Sequence, residues 1–172
     1  MAESLEEKER IEIILPLIEH LVQAVQDKIG EDLISVILYG SYARGQIGEG
    51  SDVDILIVAR NLPSSSLDRQ VFFNKILLKV EEPLRKKLQG TGWFPYVSAI
   101  LKTPDEASRI SRFYFDMVDE AKIFLDKENF FKSVLERVKN RLKELGAKKI
   151  QVGKMWYWDL KPDYRPGDVF EI

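Results

Sequence analysis

Two aspartates, Asp52 and Asp54, stand two residues apart at the head of the apolar run Val53–Ala59. On a strand, side chains two apart share a face, so both carboxylates point one way while Val53 turns to the other side, as a core residue should. Two carboxylates held side by side repel and raise each other's pKa unless a cation lies between them. Magnesium suits such a pair, being a hard ion held by one or two carboxylates plus substrate phosphates. Upstream, Gly40-Ser41-Tyr42-Ala43-Arg44-Gly45 follows another apolar run, Ile34–Tyr39. Gly40 allows a backbone or phosphate to come close. Ser41 would open a short helix to Arg44, with its hydroxyl at the anion-favouring end. A strand, a phosphate-cradling turn and a carboxylate pair on the neighbouring strand describe a site for a metal–nucleotide. Arg44 suits either a phosphate contact or a pair with a nearby acid.

Other chemistries are excluded by composition. There is no cysteine, so thiol catalysis, disulfides and cysteine-ligated metals are absent. The single histidine, His20, falls in a helical pattern and reads as a surface or boundary residue. With 45% hydrophobic and 31% charged residues among 172, the chain can bury a core and is not disordered throughout. No apolar run nears the roughly 20 residues needed to cross a bilayer. The acidic start, Met1–Glu7, does not read as a secretory signal, and a cytoplasmic protein is expected.

The elements around the motif follow from periodicity. Ser4 and Glu7 form a capping box for a helix to about Lys28. Ile11, Ile14, Leu15, Ile18, Leu21, Val22 and Val25 make its buried face, and Pro16 is expected to kink or split it. Strands are expected at 34–39, 53–59, 96–101 and 121–125. Helices are expected at 67–88, with Pro83 breaking the last turns, at 103–118 behind the Thr103-Pro104-Asp105-Glu106 start, and at 130–145. The end, with Trp156-Tyr157-Trp158, reads as a short hairpin or extended arm.

The stretch Gly-Ser-x-Ala-Arg-Gly…Ser-Asp-x-Asp, residues 40–54, resembles the signature of the DNA polymerase beta-like nucleotidyltransferase superfamily. In its longer form it is similar to the minimal nucleotidyltransferases of prokaryotes. The resemblance implies an α/β nucleotidyltransferase fold, a mixed β-sheet with flanking helices taken to lie on one side, over a core of residues 1–103. Residues 104–172 would be a C-terminal α/β extension, separate or part of the same domain. Gly40 and Ser41, with Arg44 and Ser51, would bind the nucleotide. Asp52 and Asp54 would be the catalytic carboxylates and hold two Mg2+ ions, moving a nucleoside monophosphate from an NTP, ATP foremost, to an acceptor. Active members usually add a third carboxylate from a later strand; here Ser98 falls at that position, and serine cannot serve as a carboxylate base. Two other readings stand beside this one: a nucleotide-binding antitoxin partnered with a HEPN-domain protein, and an RNA-binding module.

The charge distribution favours no single partner. Residues 1–60 hold 5 Lys and Arg against 12 Asp and Glu, and the remainder 21 against 16. Lysines around the tryptophan cluster could hold RNA with the aromatics stacking bases. Alternatively Trp156 and Trp158, on one face of a strand, pack against the body or strap a homodimer.

Overall fold

A computed structural model describes residues 7–48, 50–90, 92–153, 155–165 and 167–171. The capping box expected at Ser4 lies outside the described residues. Helix α1 (Glu7–Ile29) leads into β1 (Leu33–Tyr39), α2 (Gly40–Arg44) and β2 (Val53–Ala59). Then come α3 (Ser66–Lys87), β3 (Val97–Lys102), α4 (Pro104–Ser108), α5 (Met117–Glu120) and β4 (Lys122–Asp126). The chain ends with α6 (Phe130–Glu144) and a hairpin of β5 (Lys148–Val152) and β6 (Met155–Asp159).

The four-stranded sheet has the order β3-β2-β1-β4. β1 runs antiparallel to both β2 and β4, while β2 and β3 are parallel. β4, from beyond residue 103, is therefore an edge strand of the same sheet. Near-continuous burial along β1 and β2 follows from their central position, with helices on both faces. One face (Val36, Leu38, Val53, Ile55, Ile57) packs on α1 and α3. The other (Ile37, Leu56, Val58) packs on Ala107, Tyr114, Phe115, Met117 and the α6 residues Phe131, Val134 and Val138. Placing the helices on one side was thus incorrect: both sheet faces are apolar, and each needs a cover.

Four other expectations change. Of the kink or split expected at Pro16, the split does not occur, since α1 runs through it. Pro16 and Glu12, whose carbonyl loses its helical donor, are both on the exposed side, where water replaces the bond. The buried stripe uses Leu17, while Leu15 is exposed. Pro83 likewise lies on an exposed face within α3. The helix expected over 103–118 is broken into α4, a turn of 3-10 helix at Arg112–Tyr114, and α5. The capping box is as expected, with Thr103 Oγ1 accepting from the Glu106 N–H and Glu106 Oε2 from the Thr103 N–H. Ala107 of α4, Tyr114 of the 3-10 turn, Phe115 and Met117 of α5 enter one core from these separate pieces. Arg137 Nη2 takes the Ser108 carbonyl at 2.9 Å, so the interrupted end is satisfied from outside.

Candidate active site

The register places Tyr39, Asp54 and Ser98 in one row across β1, β2 and β3: Tyr39 pairs with Asp54, and Asp54 with Ser98. They share the face that carries Leu56 and Ile100, on the α4–α6 side of the sheet. The row sits at the end of β1 where the chain turns into α2, which brings the glycine loop over the aspartates.

Gly40 makes that turn with φ +73. A Cβ added there would lie 2.3 Å from Asp54 Oδ2 and 3.2 Å from its Cγ. The backbone of the glycine loop thus rests directly against the carboxylate, an approach only glycine permits. Ala43 and Tyr42 anchor α2 in the core, and Gly45, left-handed with φ 70, ends it. The loop back to β2 is closed by Ser51, whose Oγ accepts from the Gly48 N–H at 2.8 Å while its own N–H reaches the Gly48 carbonyl. The Val53 N–H then bonds the Tyr96 carbonyl at 2.8 Å, fixing where β2 starts.

Asp52 is exposed and Asp54 half-buried. Burial first, and then the Asp52 charge, push the Asp54 carboxyl above the usual carboxylate range, with Arg44 pulling the other way. Among the described residues no hydrogen bond or ion pair reaches either carboxylate. Tyr39, half-buried beside Asp54, has its hydroxyl held far above the ordinary tyrosine range by burial and by Asp54. On the other side of the loop, the Tyr42 hydroxyl is raised by burial and by Asp52, with Arg10 opposing. That hydroxyl is buried without a hydrogen-bond partner among the described residues. Arg10, itself buried, reaches the Gly48 carbonyl with Nη1 at 3.4 Å and lies over the Trp93 ring.

The donor set fits a divalent cation only in part. No group of three or more His, Cys, Asp or Glu that could hold a metal occurs among the described residues. Asp52 and Asp54 alone are the chemistry of an ion carried in on phosphates rather than one caged by protein.

Of the residues expected at the site, Gly40, Ser41, Asp52 and Asp54 come together at the loop. Ser51 braces that loop. Arg44, the last residue of α2, is held from the C-terminal part of the chain: Nη1 pairs with Glu120 at 3.2 Å, and the guanidinium lies 4.8 Å from the centre of the Trp156 ring. Sequence reasoning missed Tyr39, Arg10, Glu120 and this use of Trp156. Tyr39 was legible as the residue sharing a face with Ile37 just before the turn; the others depend on tertiary packing alone. His20 lies exposed on α1.

The family model described as "Nucleotidyltransferase domain" matches residues 18–152. The chain belongs to this nucleotidyltransferase family. A Methanocaldococcus jannaschii protein provisionally named a protein adenylyltransferase is 36% identical over 142 residues, covering 81% of this chain and 90% of that one. A second protein of that organism with the same provisional name is 43% identical over 51 residues, 30% of this chain and 52% of its own. Among solved structures, a provisionally named nucleotidyltransferase from Sulfolobus solfataricus is 21% identical, with a TM-score of 0.46 over 74% of this chain and 94% of its own. A chain from the structure of tri-AMPylated Shewanella oneidensis HEPN toxin in complex with MNT antitoxin is 16% identical, with a TM-score of 0.45 over 78% of this chain and 92% of its own. Like the other members of the family, this chain is a nucleotidyltransferase. No helix among the described residues is long and apolar enough to cross a membrane.

Proposed function

We propose that the chain moves AMP from ATP to a hydroxyl group of a protein, using the Gly40–Ser41 turn and the Asp52–Asp54 pair. The observation that carries this reading is the seat of Gly40 against Asp54. It sets the loop backbone, which would accept the phosphates, against Asp54, with the Asp52 charge close enough to act on the same carboxyl. Magnesium held by Asp52 and Asp54, with two ions in the full site, would supply charge neutralisation at the phosphates. Gly40 and Ser41 offer a close backbone and a hydroxyl to the terminal phosphates. Arg44 adds positive charge from the far end of α2. Ser51 serves the site by closing the loop that returns the chain to Asp52. Attack on the α-phosphorus by the acceptor oxygen forms the new phosphoester and expels pyrophosphate. The acceptor proton needs a base, and with Ser98 in register with Asp54 no carboxylate is supplied from β3.

A protein acceptor is supported by the names of the related chains and by the outer face of the hairpin. There Val152, Met155 and Tyr157 are exposed at 59%, 74% and 54%. An apolar strip of this kind suits a protein surface. A HEPN-domain protein is the first acceptor class to test, and in such a pairing the enzyme would act as the antitoxin. The experiment incubates the protein with ATP labelled at the α-phosphate, magnesium, and either a purified HEPN-domain protein or fractionated lysate. Label is expected in a protein band and is lost with Asp52→Asn and Asp54→Asn together. Label transfer that survives the double substitution would refute the site assignment.

A further inference from the structure

Arg44 belongs to the glycine loop by sequence and to the C-terminal half of the chain by contact. Its Nη1 donates to Glu120 Oε2, and its guanidinium lies against the Trp156 ring. Each of these partners is itself held. Lys149 Nζ lies 2.6 Å from Glu120 Oε1 and 3.1 Å from Asp116 Oδ1. It also stands 4.7 Å from the centre of the Trp156 ring. Trp156 Nε1–H donates to Asp116 Oδ1 at 3.2 Å. Trp158, two residues on, donates to the same oxygen at 3.0 Å and packs edge-on against Phe115 of the core. The inner face of the hairpin is therefore bolted to α5, and α5 to Arg44. Arg44 also borders a cleft of about 530 Å³ shared with Gln46, Glu120, Lys149, Gln151 and Trp156, beside the glycine loop.

A guanidinium paired with a single carboxylate oxygen can still turn about that contact. Seating its plane on an indole removes this freedom. With Nη1 committed to Glu120, the orientation set by Trp156 decides where the other terminal nitrogen points. Arg44 is the last residue of the five-residue helix that opens at Gly40, so its guanidinium stays beside the glycine loop, on the border of that cleft.

We propose that Trp156 is a positioning residue: it fixes the Arg44 guanidinium so that it faces the phosphates of the bound nucleotide, and the β5–β6 hairpin thereby completes the nucleotide site. This rests on the reading of the glycine loop as the nucleotide site.

The test is calorimetry of ATP binding to the full chain, with and without magnesium. Trp156→Ala is expected to lower ATP affinity about tenfold, the loss of one partly desolvated cation–π seat. The loss should be equal with and without magnesium, unlike that in the Asp52→Asn, Asp54→Asn double variant, which removes only the magnesium enhancement. Trp156→Phe keeps an aromatic face without the N–H and is expected within about threefold of the parent. Trp158→Phe disturbs the packing of the hairpin without touching Arg44 and is expected to bind as the parent does. Should Trp156→Ala fail to fold, Trp156→Leu fills the volume without a π face and is expected to lose the same factor. The proposal is overturned if the Ala or Leu variant binds at parental affinity, if Phe is as weak as Ala, or if Trp158→Phe loses as much. A parent that binds no ATP overturns the reading of the site beneath it. Magnesium-enhanced binding in the parent beside an unaffected Trp156→Ala overturns this proposal alone.

Discussion

Replacing Gly40 by alanine sets a methyl group where the Asp54 carboxylate now lies, 2.3 Å from Oδ2, at a φ of +73 that side chains rarely adopt. Either strain alone is tolerable; together they force the carboxylate off the loop. Gly40→Ala is expected to cost about 1–3 kcal/mol in chemical denaturation and to weaken magnesium-dependent ATP binding. Ser98 carries the complementary prediction. Because it pairs with Asp54 on the same face, Ser98→Asp adds a third carboxylate to the row. Transfer to a hydroxyl acceptor should rise by about 10²-fold, the lower end of general-base help. An unchanged rate with ATP binding retained would show that β3 is not where the base belongs. The aspartate pair and the glycine could be read from spacing, since strand alternation and a tight turn are local, whereas the Ser98 position came from the family resemblance. Glu120 could not, because its contact with Arg44 spans 76 residues and no periodicity encodes it.

At the scale of elements, local signals held where local bonds decide and failed where packing does. The Thr103–Glu106 cap formed as the residues suggest. The helix behind it stopped at Ser108, because the aromatic run Phe113–Phe115 is drawn into the core beneath the sheet. Pro16 shows the reverse: a breaker by rule, it is carried through because α1 is held by its buried stripe and leaves its unpaired carbonyl to water. The cap also joins two elements. Arg69 of α3 donates to both Glu106 oxygens, at 2.6 and 3.1 Å, and to the Leu101 carbonyl. The Arg69 hydrogen bond, then the Thr103 backbone bond, hold the Glu106 carboxyl down at about 2. A depressed pKa gives stability that is fully present above the unfolded value near 4.5 and lost as pH falls through about 2. Glu106 is 41% exposed, which reduces the worth of the pair. Glu106→Gln is therefore expected to cost about 1 kcal/mol at pH 7, shrinking below pH 4 and vanishing near pH 2. Urea titrations at pH 7, 4 and 2 measure it, and a cost independent of pH would exclude the charged form as its source.

Across the whole molecule, the open question at the level of sequence was whether the basic, aromatic end is a free arm or part of the body. Alternation correctly put Trp156 and Trp158 on one face, but nothing local told what that face meets. It meets Asp116, Lys149 and Arg44 on the inner side of the hairpin, with both indoles half-buried and Trp158 joined to the core beneath α5 and α6. Much of the nearby positive charge is engaged within the chain. Lys149 pairs with two acids, Lys139 with Asp119, Arg137 binds the Ser108 carbonyl and Arg141 the Glu171 carbonyl. A segment held this way should stabilise what it covers. Truncation after Gly146 removes the Trp158 contact, exposes Phe115 and leaves Asp116 and Glu120 without Lys149. Losing one half-buried tryptophan and its polar network is expected to cost about 2–4 kcal/mol, lowering Tm by about 5–15 °C. Limited proteolysis of the intact chain should accordingly spare the hairpin until global unfolding. Rapid loss of everything past Gly146, with Tm unchanged in the truncated chain, would mean that the hairpin lies on the body without holding it, and would return the RNA-arm reading to consideration.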